Sequence, residues 1–149
     1  MKILLAIDES PSSEEAIREV AERFRTPDTT VRVLHVVAKF VPPAAALWDA
    51  GGSVEVAREE VVSRYRGLVE GVAERLTAAG VTAETAIRKG GPGKVIINEA
   101  KKWGADLIVL GSHGHTRLVR MPIGKRRAIC GGPCLLFSRN RSSRETQSE

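Results

Sequence analysis

The chain reads as an α/β protein: an open, doubly wound, five-stranded parallel sheet in the order 3-2-1-4-5, with helices on both faces. Three observations lead there. Apolar runs too short for helices, such as Ile3-Leu4-Leu5-Ala6-Ile7 and Ala105-Asp106-Leu107-Ile108-Val109-Leu110, show the near-continuous apolar character of strands buried on both faces. Between them lie longer stretches whose apolar residues recur at helical spacing. The first strand-helix-strand unit is complete by residue 37, which implies a parallel pair joined by a right-handed crossover.

The elements follow in order. Lys2 to Ile7 is the first strand, stopped by Asp8, Ser10 and Pro11. Ser12 or Ser13 can cap a first helix whose buried stripe is Ala16, Ile17, Val20, Ala21 and Phe24. Val31 to Val37 is the second strand. Residues 38 to 53, with Pro42, Pro43 and Gly51-Gly52, form a long connection of the kind more often functional than structural. A second helix runs from Val54 to Ala79 through Val61, Tyr65, Leu68, Val72 and Leu76, and Gly80 ends it. Val81 to Arg88 is the third strand, and Gly90-Gly91-Pro92-Gly93 turns the chain into a third helix marked by Val95, Ile96, Ala100 and Trp103. The fourth strand spans about Asp106 to Leu110. A fourth helix is expected over Gly124 to Cys130, and a last strand over Cys134 to Phe137.

Length and composition bound the rest. The chain's 149 residues, 42% hydrophobic and 28% charged, suit one globular domain over residues 1–138 followed by a disordered polar tail, 139–149. The first apolar run is too short for a signal-peptide core or a membrane span, so the expected location is cytoplasmic. Cys130 and Cys134 match neither a redox C-x-x-C nor a four-ligand zinc pattern, and read as reduced structural thiols. The net charge of +5 invites a nucleic-acid reading, but an aromatic content of 4% argues against base-stacking platforms. The excess is local: Arg117, Arg120, Lys125, Arg126 and Arg127 crowd one segment, a patch that suits a small polyanion.

That segment carries the chain's strongest motif. Gly111-Ser112-His113-Gly114 leaves the carboxyl end of the fourth strand, and after nine further residues come Gly124-Lys125. Glycines there let the backbone approach a ligand so that N–H groups point at phosphate oxygens. Gly111 and Gly114 also read as turn glycines, but their position at a predicted strand end favours the cradle. Lys125, just past the third glycine, is well placed to meet a phosphate. With strand order 3-2-1-4-5, the ligand crevice of such a sheet lies between strand one, ending at Asp8, and strand four, ending at Gly111. Asp8 can accept a hydrogen bond from a ribose hydroxyl or a base amino group, or can cap the first helix. His113 and His115 lack an identifiable third metal ligand and read as solvated loop residues. Walker A and G-x-G-x-x-G motifs are absent, and no Ser/His/Asp or Cys/His set announces nucleophilic catalysis.

The chain resembles the universal stress protein family over residues 1 to 138. The resemblance is carried by Ile3-Leu4-Leu5-Ala6-Ile7-Asp8 with Ser10, Leu34-His35-Val36, Gly91-Pro92, Ala105 through Gly114, and Pro133-Cys134-Leu135-Leu136. It implies a five-stranded α/β fold and a homodimer paired through the last strand. In one subgroup it also implies an ATP site with the pattern G-x2-G-x9-G-[ST]. On matching positions, Asp8 and Val36 would contact adenosine, with Leu110 and Ala6 at the base and ribose pocket. Gly111, Gly114 and Gly124 would line ribose and phosphates; Lys125, Arg126 and Arg127 join the candidate site from the basic patch and not from the resemblance. The ligand implied is ATP, or AMP or ADP, with Mg as a companion cation and no integral metal. The chain departs from the pattern at Lys125, where the subgroup has Ser or Thr, and in a shortened segment from Gly124 to Pro133. The expected function is a nucleotide-binding stress-response sensor or regulator with at most slow ATP hydrolysis. The alternative is a dimeric interaction module of the same family that binds no nucleotide.

Overall fold

The computed structural model describes residues 1–38, 54–111, 127–130 and 134–138. The expected connection at 38–53 and tail at 139–149 lie almost wholly outside these residues. In chain order the elements are β1 (Lys2–Ala6), α1 (Pro11–Arg23), β2 (Thr30–Val37), α2 (Val54–Ala78), β3 (Thr82–Lys89), α3 (Pro92–Trp103), β4 (Leu107–Gly111), β5 (Arg127–Cys130) and β6 (Cys134–Ser138).

Four parallel strands form the body of the sheet in the order β3-β2-β1-β4. Their faces alternate as the period of a strand requires. On one face Ile3, Leu5, Val31, Val33 and Val109 pack against Ile17 and Val20 of α1 and Val72 and Leu76 of α2. On the other, Leu4, Ala6, Leu34, Ala86, Ile108 and Leu110 pack with Ile96 and Ala100 of α3. Each fully buried aliphatic side chain contributes about 1.5–3 kcal/mol, so this two-sided burial is what holds the parallel strands together.

The all-parallel five-stranded expectation is corrected at the carboxyl end. Beyond β4 comes β6, antiparallel to it with Gly111 opposite Cys134, and then β5, antiparallel to β6 with Cys130 opposite Leu135. Residues 127–130, expected in a fourth helix, are strand β5; residues 124–126 lie outside the described residues. Only 131–133 separate β5 from β6. That length closes a hairpin, whereas a parallel crossover needs a dozen residues or more. Pairing on both sides also places β6 inside the sheet, so the last strand is not its free edge.

Local chemistry sets the element ends. The cap of α1 is Ser10, two or three residues ahead of the expected Ser12 or Ser13: its Oγ accepts the Ser13 N–H, and Pro11 takes the first helical position. Gly104 ends α3 at φ 73°, a left-handed conformation that glycine adopts without strain, and its N–H returns to the Ala100 carbonyl.

Beside the apolar cluster under α3 lies a charged one. Glu99, 6% exposed, accepts from Arg32 and from Arg88, each at 2.9 Å, and Arg32 Nε also donates to Glu84 at 2.6 Å. Arg32 in turn sits over the Trp103 ring, 4.4 Å from its centroid. Two guanidiniums on one buried carboxylate leave no uncompensated charge inside.

Candidate functional site

The register of the parallel strands builds the site. Ala6 is opposite Leu34 on β2 and opposite Leu110 on β4, so a small side chain sits between two leucines where the strands end. The result is a dent in the carboxyl edge of the sheet, enclosing about 50 Å³ among the described residues. That is well short of the roughly 300–1,000 Å³ of a closed ligand pocket, so the dent is a floor on which a flat group can rest. Five residues singled out from the sequence line it together: Ala6, Asp8, Val36, Leu110 and Gly111. Gly114, Gly124, Lys125 and Arg126 lie outside the described residues. Arg127 falls in β5, away from the expected helix.

Asp8 organises the turn from β1 into α1. Its Oδ1 accepts the Ser10 N–H at 3.0 Å, the Ser13 Oγ–H at 2.7 Å and the Ser10 hydroxyl. Ser13 Oγ accepts the Asp8 N–H at 2.9 Å in return. Asp8 is not the cap of α1, which is Ser10, but its carboxylate holds the turn that starts that helix and also lines the dent. A carboxylate at the positive end of α1 is favoured by the helix dipole.

Gly111 has a reason of its own in the fold. A Cβ built on it would lie 2.7 Å from the main-chain carbonyl carbon of Ser12 and 2.7 Å from Ser12 Oγ, a separation real side chains do not show. The end of β4 therefore runs directly against the first turn of α1, and glycine is required there whether or not a ligand binds.

Six further lining residues had no ligand role assigned from the sequence: Ile7, Ser13, Leu34, His35, Pro92 and Ile96. Pro92 and Ile96 come from the first turns of α3 and form the wall beside Leu34. His35 is 6% exposed; its Nδ1 lies 2.9 Å from the Ile7 carbonyl, and its ring stacks on Tyr65 at 3.9 Å between centroids. The signal was available as a histidine among apolar strand residues and the chain's single tyrosine, but nothing in the spacing says that they stack. Next to them Arg64 reaches Glu9 at 2.7 Å, a bond that raises the guanidinium pKa further. α2 is thereby tied to the turn that carries Asp8.

A crevice at the carboxyl ends of parallel strands, where the strand order reverses between β1 and β4, is the ligand position of doubly wound sheets. The sequence profile of the universal stress protein family matches residues 1–125. The chain belongs to the universal stress protein family.

Among universal stress proteins, the chain is similar to YxiE of Bacillus subtilis, with 31% identity over 127 residues, covering 83% of this chain and 86% of that protein. In structure it is similar to the hypothetical protein MJ0577, at 26% identity with 78% of each chain covered and a TM-score of 0.63. It also shares its fold with a universal stress protein family protein from Arabidopsis thaliana solved with AMP bound, at 22% identity, 83% coverage of each chain and a TM-score of 0.58.

Proposed function

We propose that this universal stress protein binds an adenine nucleotide on the dent at the ends of β1, β2 and β4, and acts through that binding as a stress-response sensor or regulator. The observation that carries the reading is the convergence of Ala6, Asp8, Val36, Leu110 and Gly111, distant in sequence, on one concavity. The fold shared with the AMP-bound Arabidopsis protein supports it. A base would rest on Ala6 and Leu110, with Val36 against the adenosine. Asp8 lines the dent, and its carboxylate would accept from a ribose hydroxyl. Gly111 leads the chain toward Gly114, Gly124 and Lys125, where phosphates would meet N–H groups and the charges of Lys125, Arg126 and Arg127. ATP, ADP and AMP all fit this description, with Mg accompanying the phosphates. The cytoplasm is the compartment this reading assigns. Among the described residues no helix is long and apolar enough to cross a membrane.

Lys125 favours a second reading, a dimeric interaction module without nucleotide, because it removes the hydroxyl that the family's nucleotide-binding pattern supplies. Mass spectrometry of small molecules released from freshly purified protein, followed by calorimetry with ATP and adenosine, separates the two. Recovered adenine nucleotide and measurable ATP heat support the first. Lys125→Ala is then expected to weaken ATP more than adenosine, and Gly114→Val to weaken ATP sharply in a protein that stays folded by circular dichroism. Empty protein with no heat from either ligand overturns the nucleotide reading, and ATP binding that appears only in Lys125→Ser identifies the lysine as the obstacle.

A further inference from the structure

The contacts of α2 change along its length. Among its described side chains the buried ones, Val69, Val72 and Leu76, all lie in the second half and pack on the sheet. Ahead of them, Tyr65 stacks on His35, 3.9 Å between centroids and 20° between planes, and Arg64 reaches Glu9 at 2.7 Å. Both contacts lead to the same turn. A carbonyl oxygen only accepts, so His35 Nδ1 carries the proton it gives to Ile7, while the Ile7 N–H donates to the Leu34 carbonyl at 2.9 Å. Ile7 is thus pinned by two successive residues of β2 and Glu9 is held from α2. Between them stands Asp8, which lines the dent. Arg64 and Glu9 are at least half exposed, so their pair contributes little and the stack is the firmer hold.

α2 runs antiparallel to the strands it connects: the Leu76 carbonyl accepts the Val81 N–H just before β3, and Tyr65 is level with the carboxyl end of β2. β2 extends two residues past His35, whereas eleven residues of α2, 54–64, or about 16 Å of helix, lie on that side of Tyr65. The first turns of α2 therefore stand past the edge at which the dent opens, with Arg58, Glu59 and Glu60 exposed. We propose that Tyr65 is a positioning residue of the nucleotide site, and that through His35 it couples occupancy of the dent to the stance of the amino-terminal half of α2. The inference rests on the nucleotide reading above and names the element that carries its signal. A ribose on Asp8 fixes the turn at residues 7–9, and that turn holds His35 and Arg64 in the one arrangement that seats α2. Coupling is reciprocal: whatever affinity for an ordered α2 the nucleotide creates, a well-seated α2 returns to the nucleotide. A sensor needs such an element, because a bound ligand acts on a partner only through a surface that differs between the empty and the occupied protein.

Calorimetry with ATP and with adenosine, paired with hydrogen exchange of the full chain, tests the coupling. Tyr65→Leu keeps apolar bulk but gives His35 no ring to stack on, and Tyr65→Phe keeps the ring. The Tyr65→Leu protein is expected to bind both ligands about fivefold more weakly, the size of one aromatic pair's contribution, and Tyr65→Phe to bind them as the parent does. The loss is equal for the two because Asp8 is assigned to the ribose that they share. Without ligand, the Asp8 and Ser10 amides, which donate to Ser13 Oγ and Asp8 Oδ1, should exchange faster in Tyr65→Leu while those of β4 keep the parent's rate. A loss of overall stability would speed all of them alike. Adenosine should slow the amides of residues 58–65 in the parent and not in Tyr65→Leu. Unslowed 58–65 amides in the adenosine-bound parent overturn the coupling without any variant. Parent-like affinity in Tyr65→Leu, or Asp8 and Ser10 amides that change only together with those of β4, overturns it in a protein that still binds nucleotide. A parent that gives no heat with either ligand overturns the nucleotide reading, and this inference falls with it.

Discussion

Gly111 and Ser12 are in contact so close that the fold admits no Cβ at position 111: the added atom would stand 2.7 Å from the Ser12 main-chain carbon. The contact joins the end of β4 to the first turn of α1, and so fixes the spacing of two edges of the candidate site. Gly111→Ala is expected to lower unfolding free energy by about 1–3 kcal/mol in urea titrations, the usual cost of overpacking. Ser12→Ala should not rescue it, since the main-chain carbon remains. An alanine variant as stable as the parent would show that α1 can move away, and would remove the packing reason for glycine at 111.

Asp8 separates a structural from a binding contribution. Asp8→Ala removes the acceptor of the Ser10 N–H and of the Ser13 hydroxyl, and should cost about 0.5–2 kcal/mol, as loss of a helix-start acceptor does. Asp8→Asn keeps an oxygen for those donors, so most of the stability should survive. If Asp8 also meets a ribose, calorimetry should show ATP affinity falling in the Asn variant by more than its stability does.

His35 is expected to matter through its Nδ1 as well as its ring. His35→Phe keeps a plane for Tyr65 to stack on but leaves the Ile7 carbonyl without its 2.9 Å partner, a loss of about 1–3 kcal/mol for a buried acceptor. Tyr65→Phe, which preserves the stacking plane, should be close to neutral. Equal stability of parent and His35→Phe in chemical denaturation would remove the hydrogen bond from this account.

The Glu14 to Arg75 pair gives a pH signature. The bidentate bond, 2.9 and 3.2 Å, from Arg75 holds the Glu14 carboxyl below its ordinary value and raises the Arg75 guanidinium. A carboxyl whose folded pKa is depressed contributes stability that is present above the unfolded pKa and lost as pH falls through the folded one. Both side chains are more than half exposed, so solvent screening limits the gain to at most ~1 kcal/mol. Glu14→Gln should therefore be slightly less stable than the parent at neutral pH and equal to it once the pH lies below the folded value. A difference that persisted unchanged into acid would point to packing instead of charge.

Sequence alone determined the parallel body of this protein. Burial on both faces leaves a nearly unbroken apolar code in Lys2–Ala6, Thr30–Val37 and Leu107–Gly111, and the chain between strands is long enough for only one kind of connection. The same local chemistry marked Asp8 and Gly111, because a strand end followed by a carboxylate or a glycine is legible residue by residue. Three things were decided only in three dimensions. The direction of the last strands follows from the pairing of β6 with β4 and β5, and a four-residue segment such as Arg127–Cys130 has no period long enough to tell helix from strand. The demand for glycine at 111 comes from Ser12, 99 positions away, and the stack of His35 on Tyr65 comes from α2 lying across the sheet. Such contacts depend on distances between elements, which packing sets and which no spacing within an element records.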